Sequence, residues 1–271
     1  MQHTNAQHQL SASVQSKVLG EITTLIAKEL EEHPPTIGLV GVSGVGKSST
    51  INALFRTQLA TSHSVACTKA FECIDLSLDF KRGQANQRAV SLRVIDAPGL
   101  GESLHKDPEY LELYHKYLGN CDVVLWVMSA RNRAMSLDQQ YLQSLLAYHD
   151  RIVFGINQVD IIEPRDWSQS FNIPSLQQES NLRAIKEDRS AKLFAVLGRE
   201  APVVCYSSQR GYRLEELFHT ILEACPIERR WIFEGLKGFS YEDFIPPGMA
   251  TSISTRIVKT FAKFTQLTQG E

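Results

Sequence analysis

A chain of 271 residues has room for one large α/β domain with appendages, or for two small domains. Its formal charge of -2, with 28 Lys and Arg against 30 Asp and Glu, gives no global basic field, so nucleic acid is not the expected partner. No run approaches the ~20 apolar residues of a membrane span, and the polar start "MQHTNAQHQLSASVQS" lacks the apolar core of a signal peptide, so a chain neither secreted by that route nor integral is expected.

Residues 1–12 read as a disordered polar tail. Val14, Val18, Ile22, Leu25, Ile26 and Leu30 then recur at helical spacing, which predicts an amphipathic helix over 13–35 that stops at "HPP". "TIGLVG" reads as a buried strand and "KSSTINALF" as the helix that follows it. "SLRVID", "CDVVLWVM", "RIVFGIN" and "APVVCY" are further apolar strands, separated by helical stretches such as "DPEYLELYHKYL", "SLDQQYLQSLLAYH" and "YRLEELFHTILEA". Flat apolar strands alternating with helices suit a parallel sheet covered on both faces. "FECIDLSL" alternates and suits an antiparallel edge. The polar stretch after Asp160, with Pro164 and Pro174, leads into a helix through "LQQESNLRAIKEDRSAKLFAVL". From Pro226 the alternation stops. "GLKGFSYEDFIPPG" reads as loop, and Ile253, Ile257, Val258, Phe261 and Phe264 mark a last amphipathic helix. The fold class is therefore α/β, three-layered, with a mostly parallel six-stranded sheet and one antiparallel edge strand. It occupies 36–225, with a C-terminal extension over 226–271. Cys67, Cys73, Cys121, Cys205 and Cys225 are an odd set without C-x-x-C spacing, and they read as reduced buried thiols of a cytoplasmic protein.

Residues 41–48, "GVSGVGKS", fit the phosphate-binding pattern G-x-x-x-x-G-K-[ST] between a predicted strand and a predicted helix. Backbone N–H groups over Gly41, Ser43, Gly44, Val45 and Gly46 would cradle phosphate oxygens, helped by the helix start at Ser48 and Ser49. Lys47 would reach the β- and γ-phosphates, and Ser48 would offer its hydroxyl to Mg²⁺. In "VIDAPGL", Asp96 would bind the metal through water and Gly99 would offer a backbone N–H to the γ-phosphate. Thr68 in "SVACTKAF" is a further hydroxyl for Mg²⁺; the competing reading is an ordinary threonine entering a strand.

In this order the motifs resemble the translation-factor-related class of P-loop GTPases, and the resemblance covers about 36–225 as a P-loop NTPase G domain. "GKSSTINALF" and "CTKA" are similar to the Era-like bacterial members. "GKSSTIN" with "DAPGL" is also similar to the septin, AIG1 and chloroplast-import-receptor group. The resemblance implies GTP or GDP as ligand and Mg²⁺ as cofactor. In "FGINQVD" it implies that Asp160 accepts from guanine N1 and N2 while Asn157 fixes the loop and touches the base. Gln158 departs from the N-K-x-D pattern; guanine selectivity is expected to survive the loss of the lysine charge and affinity to fall. "YSSQRGYRLEEL" is similar to the S-A-x-x-G-x-G-L loop that closes over the base, with Ser207 and Ser208 at the matching places; the competing reading is a turn capping the next helix.

Leu100 stands where Ras-like members carry a water-orienting glutamine, which implies slow hydrolysis. Arg133 matches an arginine that, in some proteins of the septin and import-receptor group, meets a partner's nucleotide. It is thus a candidate catalytic residue across a homodimer, against the reading of a solvated surface arginine. His63 and His105 read as solvated loop histidines. Two classes of function remain: a hydrolytic switch with a protein effector, and a GTP-dependent scaffold. The terminal helices are expected to pack together or, with Arg256, Lys259 and Lys263 beside Phe261 and Phe264, to touch a partner or a membrane surface.

Overall fold

The computed structural model describes residues 12–42, 44–57, 65–66, 72–79, 89–97, 107–132, 135–144 and 150–239. After helix α1 (Ala12–Glu32) the chain enters β1 (Thr36–Val40) and α2 (Lys47–Phe55). There follow β2 (Val65–Ala66), β3 (Glu72–Asp79), β4 (Ala89–Asp96), α3 (Asp107–Leu118), β5 (Val123–Ser129), α4 (Ser136–Ser144) and β6 (Ile152–Asn157). A small hairpin of β7 (Trp167–Ser168) and β8 (Ile173–Pro174) precedes α5 (Leu176–Leu197), β9 (Val203–Cys205), α6 (Leu214–Ala224) and α7 (Arg230–Leu236).

One sheet runs in the order β2-β3-β4-β1-β5-β6-β9, parallel from β4 to β9 and antiparallel at β2 and β3. All six expected strands are present, and the two-residue β2 adds a seventh at the edge. The flat apolar strands are buried on both faces: Ile37, Leu39, Val123, Leu125 and Val127 belong to one core, Val40, Val124, Trp126 and Met128 to the other. α2, α6 and α7 close the first core; α3, α4 and α5 close the second. Parallel register sets Leu39 beside Asp96 and Leu125, and Ser129 beside Asn157. Loops leaving β1, β4, β5 and β6 therefore meet at one rim, the usual place for a ligand in such a sheet.

Two readings change. The sequence pattern assigned residues 226–234 no element and read 235–248 as loop, yet α7 forms over Arg230–Leu236, and Ile232, Phe233, Leu236 and Phe239 sit in the first core. Seven residues with no side-chain cap and a glycine at 235 carry too little periodicity to announce a helix. Cys121, Cys205 and Cys225 are buried free thiols, but Cys73 is disulfide-bonded, against the expectation of five reduced thiols. Cys73 lies on β3 opposite Val65 of the antiparallel β2. Among the described side chains of α1, Val14, Val18, Ile22, Leu25 and Ile26 are exposed and Leu30 packs on the core. Arg229 secures its end, donating to the His33 carbonyl at 2.8 Å, to Asp122 Oδ1 at 3.1 Å and to Glu29 Oε1 at 3.4 Å. The expected helix over 251–268 lies outside the described residues. Among the described residues no helix is long and apolar enough to cross a membrane.

Candidate functional site

At the rim the chain passes from β1 into α2 through Gly41, Gly44 and Gly46, positions where the backbone needs a glycine. Gly44 and Gly46 have φ of 79° and 89°. A Cβ on Gly41 would meet the Val127 carbonyl oxygen at 2.2 Å, and one on Gly46 would meet Asn157 Nδ2 at 2.4 Å. α2 starts with no side-chain cap and no acidic residue in its first turn. Its first N–H groups and its positive end are left for an anion. Ser48 and Ser49 lie in that first turn. Lys47, largely buried, folds back over the loop: Nζ donates to the Gly41 carbonyl at 3.1 Å and stands 4.0 Å from Asp96 Oδ1. Ammonium, carboxylate and serine hydroxyl thus share one end of the rim.

This donor set fits Mg²⁺ held jointly with phosphate. Among the described residues no cluster of three His, Cys, Asp or Glu could hold a metal alone. Mg²⁺ bound through one carboxylate and a hydroxyl, with water and phosphate oxygens completing the shell, is the common arrangement.

The other end is built from β6 and the turn after β9. Asn157 is buried and fastens three segments. Its Nδ2 donates to the Val45 carbonyl at 3.1 Å and to Ser208 Oγ at 3.2 Å, and its Oδ1 accepts from Ser208 N at 3.0 Å. Gln158 has a left-handed backbone, φ 65°, and uses both ends of its amide. Nε2 donates to the Gly44 carbonyl at 2.9 Å, and Oε1 accepts from Ser129 Oγ at 2.6 Å. The tie to the phosphate loop expected of a lysine is made here by a neutral amide. Asp160 lies in the middle of a short 3-10 turn, Val159–Ile161, and its side chain is 7% exposed, with Arg210 Nε 4.0 Å from Oδ2. Ser207 is buried; its N donates to the Tyr212 carbonyl at 3.1 Å and its Oγ accepts from Arg210 N at 3.0 Å.

The structure thus brings together Gly41, Gly44, Val45, Gly46, Lys47, Ser48, Ser49, Asp96, Asn157, Gln158, Asp160, Ser207 and Ser208. Ser43, Thr68, Gly99, Leu100, Arg133, His63 and His105 lie outside the described residues. Sequence reasoning missed several supports. Ser129 anchors Gln158. Gln178, buried on α5, donates to the Ile162 carbonyl at 2.8 Å and the Asp160 carbonyl at 3.4 Å. Tyr206 OH and Thr50 Oγ1 share a buried hydrogen bond of 2.7 Å, while Thr50 also donates to the Gly46 carbonyl at 2.7 Å. Burial pushes the Tyr206 hydroxyl far above its ordinary range, so it stays protonated and serves as a strut rather than a base. The close approach of Gly155 to the Tyr206 ring, where a Cβ would stand 2.8 Å from Cε1, was the one signal in the letters.

Residues 36–158 match the 50S ribosome-binding GTPase family. The uncharacterized protein YfjP of Escherichia coli (strain K12) is 33% identical over 157 residues, 57% of this chain and 50% of that protein. The tRNA modification GTPase MnmE of Campylobacter jejuni (strain RM1221) is 31% identical over 176 residues, 64% of this chain and 38% of that one. The chain spans about half the length of the first curated relatives it matches. Toc33 of Arabidopsis thaliana has the same fold. Its dimerization-deficient arginine-to-alanine mutant aligns with TM-score 0.51 at 18% identity over 82% of this chain and 95% of Toc33. Its complex with GDP and Mg²⁺ aligns with TM-score 0.50 at 17% identity over 79% and 92%. Residues 36–158 are thus similar to P-loop GTPases, and the sheet order and the structural matches give the chain the fold of their G domain.

Proposed function

We propose that the rim binds GTP and GDP with Mg²⁺ and that the chain hydrolyses GTP slowly to GDP and phosphate as a molecular switch. The observation that carries this reading is the junction at Asn157 and Gln158, where two neighbouring amides join a base-reading loop to the phosphate loop. The N–H groups of residues 41–46 and the start of α2 hold the phosphates. Lys47 leaves the Gly41 carbonyl for the β- and γ-oxygens. Ser48, Thr68 and Asp96, the last through water, hold Mg²⁺, which neutralises charge on the phosphate oxygens when bound. Gly99 senses the γ-phosphate. Asp160 supplies discrimination, because adenine offers it no N1–H or 2-amino donor and an unmatched buried carboxylate costs at least ~1–3 kcal/mol. Ser207 and Ser208 close over the base. Leu100 cannot polarise water, which is the argument for slow turnover.

Arg133 supplies the missing charge across a homodimer formed over the nucleotide face; support for this comes from Toc33, in which an arginine-to-alanine mutant is dimerization-deficient. The exposed stripe on α1 favours a second contact, with an effector protein or a membrane surface. A chain that assembles on GTP without turnover is the competing class. Calorimetric titration of GTP, GDP and ATP with Mg²⁺, and hydrolysis followed against protein concentration, test the proposal. Guanine nucleotides are expected to bind at least ~100-fold more tightly than ATP, and specific activity to rise with concentration and fall in Arg133→Ala. Preference for ATP, or no binding, removes the base assignment. Concentration-independent rates untouched by Arg133→Ala remove the dimer, and no turnover at any concentration leaves the scaffold.

A further inference from the structure

The base end carries a device that the motifs do not require. Arg210 is tethered on every side. Its backbone N donates to Ser207 Oγ at 3.0 Å, and its carbonyl accepts from Asn172 Nδ2 at 2.8 Å. Its guanidinium donates to Gln169 Oε1 and lies 5.9 Å from the centre of the Trp167 ring. The hairpin supplying these contacts is itself fixed. Trp167 Nε1 donates to Asn172 Oδ1 at 3.1 Å, and Trp167 packs edge-on to Tyr212 at 5.0 Å. A long surface arginine ordinarily loses most of an ion pair's benefit to side-chain entropy. Here two backbone hydrogen bonds fix the residue and two contacts, with Gln169 and the Trp167 ring, hold the guanidinium, which faces the Asp160 carboxylate at 4.0 Å.

We propose that Arg210, held by the hairpin β7–β8, is a positioning residue that fixes the orientation of the Asp160 carboxylate and thereby its grip on the 2-amino group of guanine. The inference rests on the guanine reading above. A carboxylate offers about four acceptor positions. Two parallel bonds, to N1–H and to the 2-amino group, require it to lie in the plane of the base, whereas a single bond tolerates rotation. Arg210 Nε stands 4.0 Å from Oδ2 and restrains that oxygen. Gln178 fixes the backbone beneath through the Asp160 and Ile162 carbonyls. Losing the guanidinium frees the carboxylate to turn, and the second bond suffers first. Hypoxanthine, which lacks the 2-amino group, depends on only one of the two bonds.

The test is calorimetry of the full chain with GDP and with inosine diphosphate, both with Mg²⁺, for the unaltered protein, Arg210→Ala and Arg210→Lys. Arg210→Ala is expected to weaken GDP roughly fivefold and inosine diphosphate less than about twofold. Arg210→Lys keeps the charge but not the planar fork, and is expected to fall between. Equal losses for both nucleotides would reduce Arg210 to a structural tether and overturn the inference, as would no loss in either. An unaltered chain that bound neither nucleotide would remove the GTP reading itself, and this inference with it.

Discussion

Gln158 shows how much of a residue's role lies in its backbone. At φ 65° its side chain is thrown toward Gly44 whether it ends in an amide or an ammonium, and the amide finds both a carbonyl and the Ser129 hydroxyl. What it lacks is charge near the phosphates. Gln158→Lys is therefore expected to tighten GTP and GDP together, by roughly fivefold at low salt and less at high salt, without changing the choice of base. Asp160→Asn is expected instead to cut the preference of guanine over inosine nucleotides by about tenfold or more. Competition titrations with both nucleotide pairs check both statements; a lysine variant with altered base choice would show that the labour is divided otherwise. The letters "FGINQVD" point to Asn157 and Asp160 because the proposed reading of guanine needs an amide and a carboxylate at fixed spacing. They say nothing of Ser129 or Gln178, which reach the same loop from β5 and α5. Those contacts exist only once the strands are in register.

At the level of elements, α4 and α5 meet the sheet over a buried polar group. Trp126 Nε1 donates to Asp138 Oδ1 at 2.8 Å, and Arg189 on α5, 2% exposed, holds the Asn132 carbonyl and pairs with Asp188. Burial pushes the Asp138 carboxyl above the ordinary carboxylate range, against the opposing pull of the Trp126 bond, its own backbone and Arg189. A carboxyl raised in the folded state binds its proton more tightly there than in the unfolded chain. Its contribution to stability is thus full below the unfolded pKa, about 3.9, and is lost as pH rises through the folded value. Asp138→Asn keeps an acceptor for Trp126 and removes the buried charge. It is expected to raise the melting temperature at pH 7 by a few degrees and to make no difference at the lowest pH at which the fold survives. Melts from pH 4 to 8 would contradict this if the gain grew toward acid. The sequence pattern found α4 but not this role, since an aspartate in a first helical turn reads as an exposed partner of the helix dipole. α7 was hidden for a different reason: its place is set by packing against α6 in the first core, not by its own periodicity.

For the molecule as a whole, parallel strands with flat apolar runs made the sheet legible, because both faces had to be covered and only helices between strands could do that. Register, the edge strand β2 and the hairpin β7–β8 were not legible, since two-residue strands have no period to read. α1 was legible as an amphipathic helix, and its described apolar stripe is exposed. Vesicle flotation tests what that stripe does: the full chain is expected to float with vesicles containing anionic lipid, and Ile22→Glu with Leu25→Glu to abolish flotation while leaving GDP affinity unchanged. A chain that stays with the soluble fraction would leave only the effector contact. At the opposite rim, one side-chain amide has a thermodynamic consequence. Because Asn157 joins Val45 to Ser208 and presses on Gly46, ordering either end of the site orders the other. The entropy of fixing the frame is lost once, not twice. A nucleoside and a pyrophosphate presented separately would each bear that loss alone, and the joined nucleotide gains more than the sum of its halves.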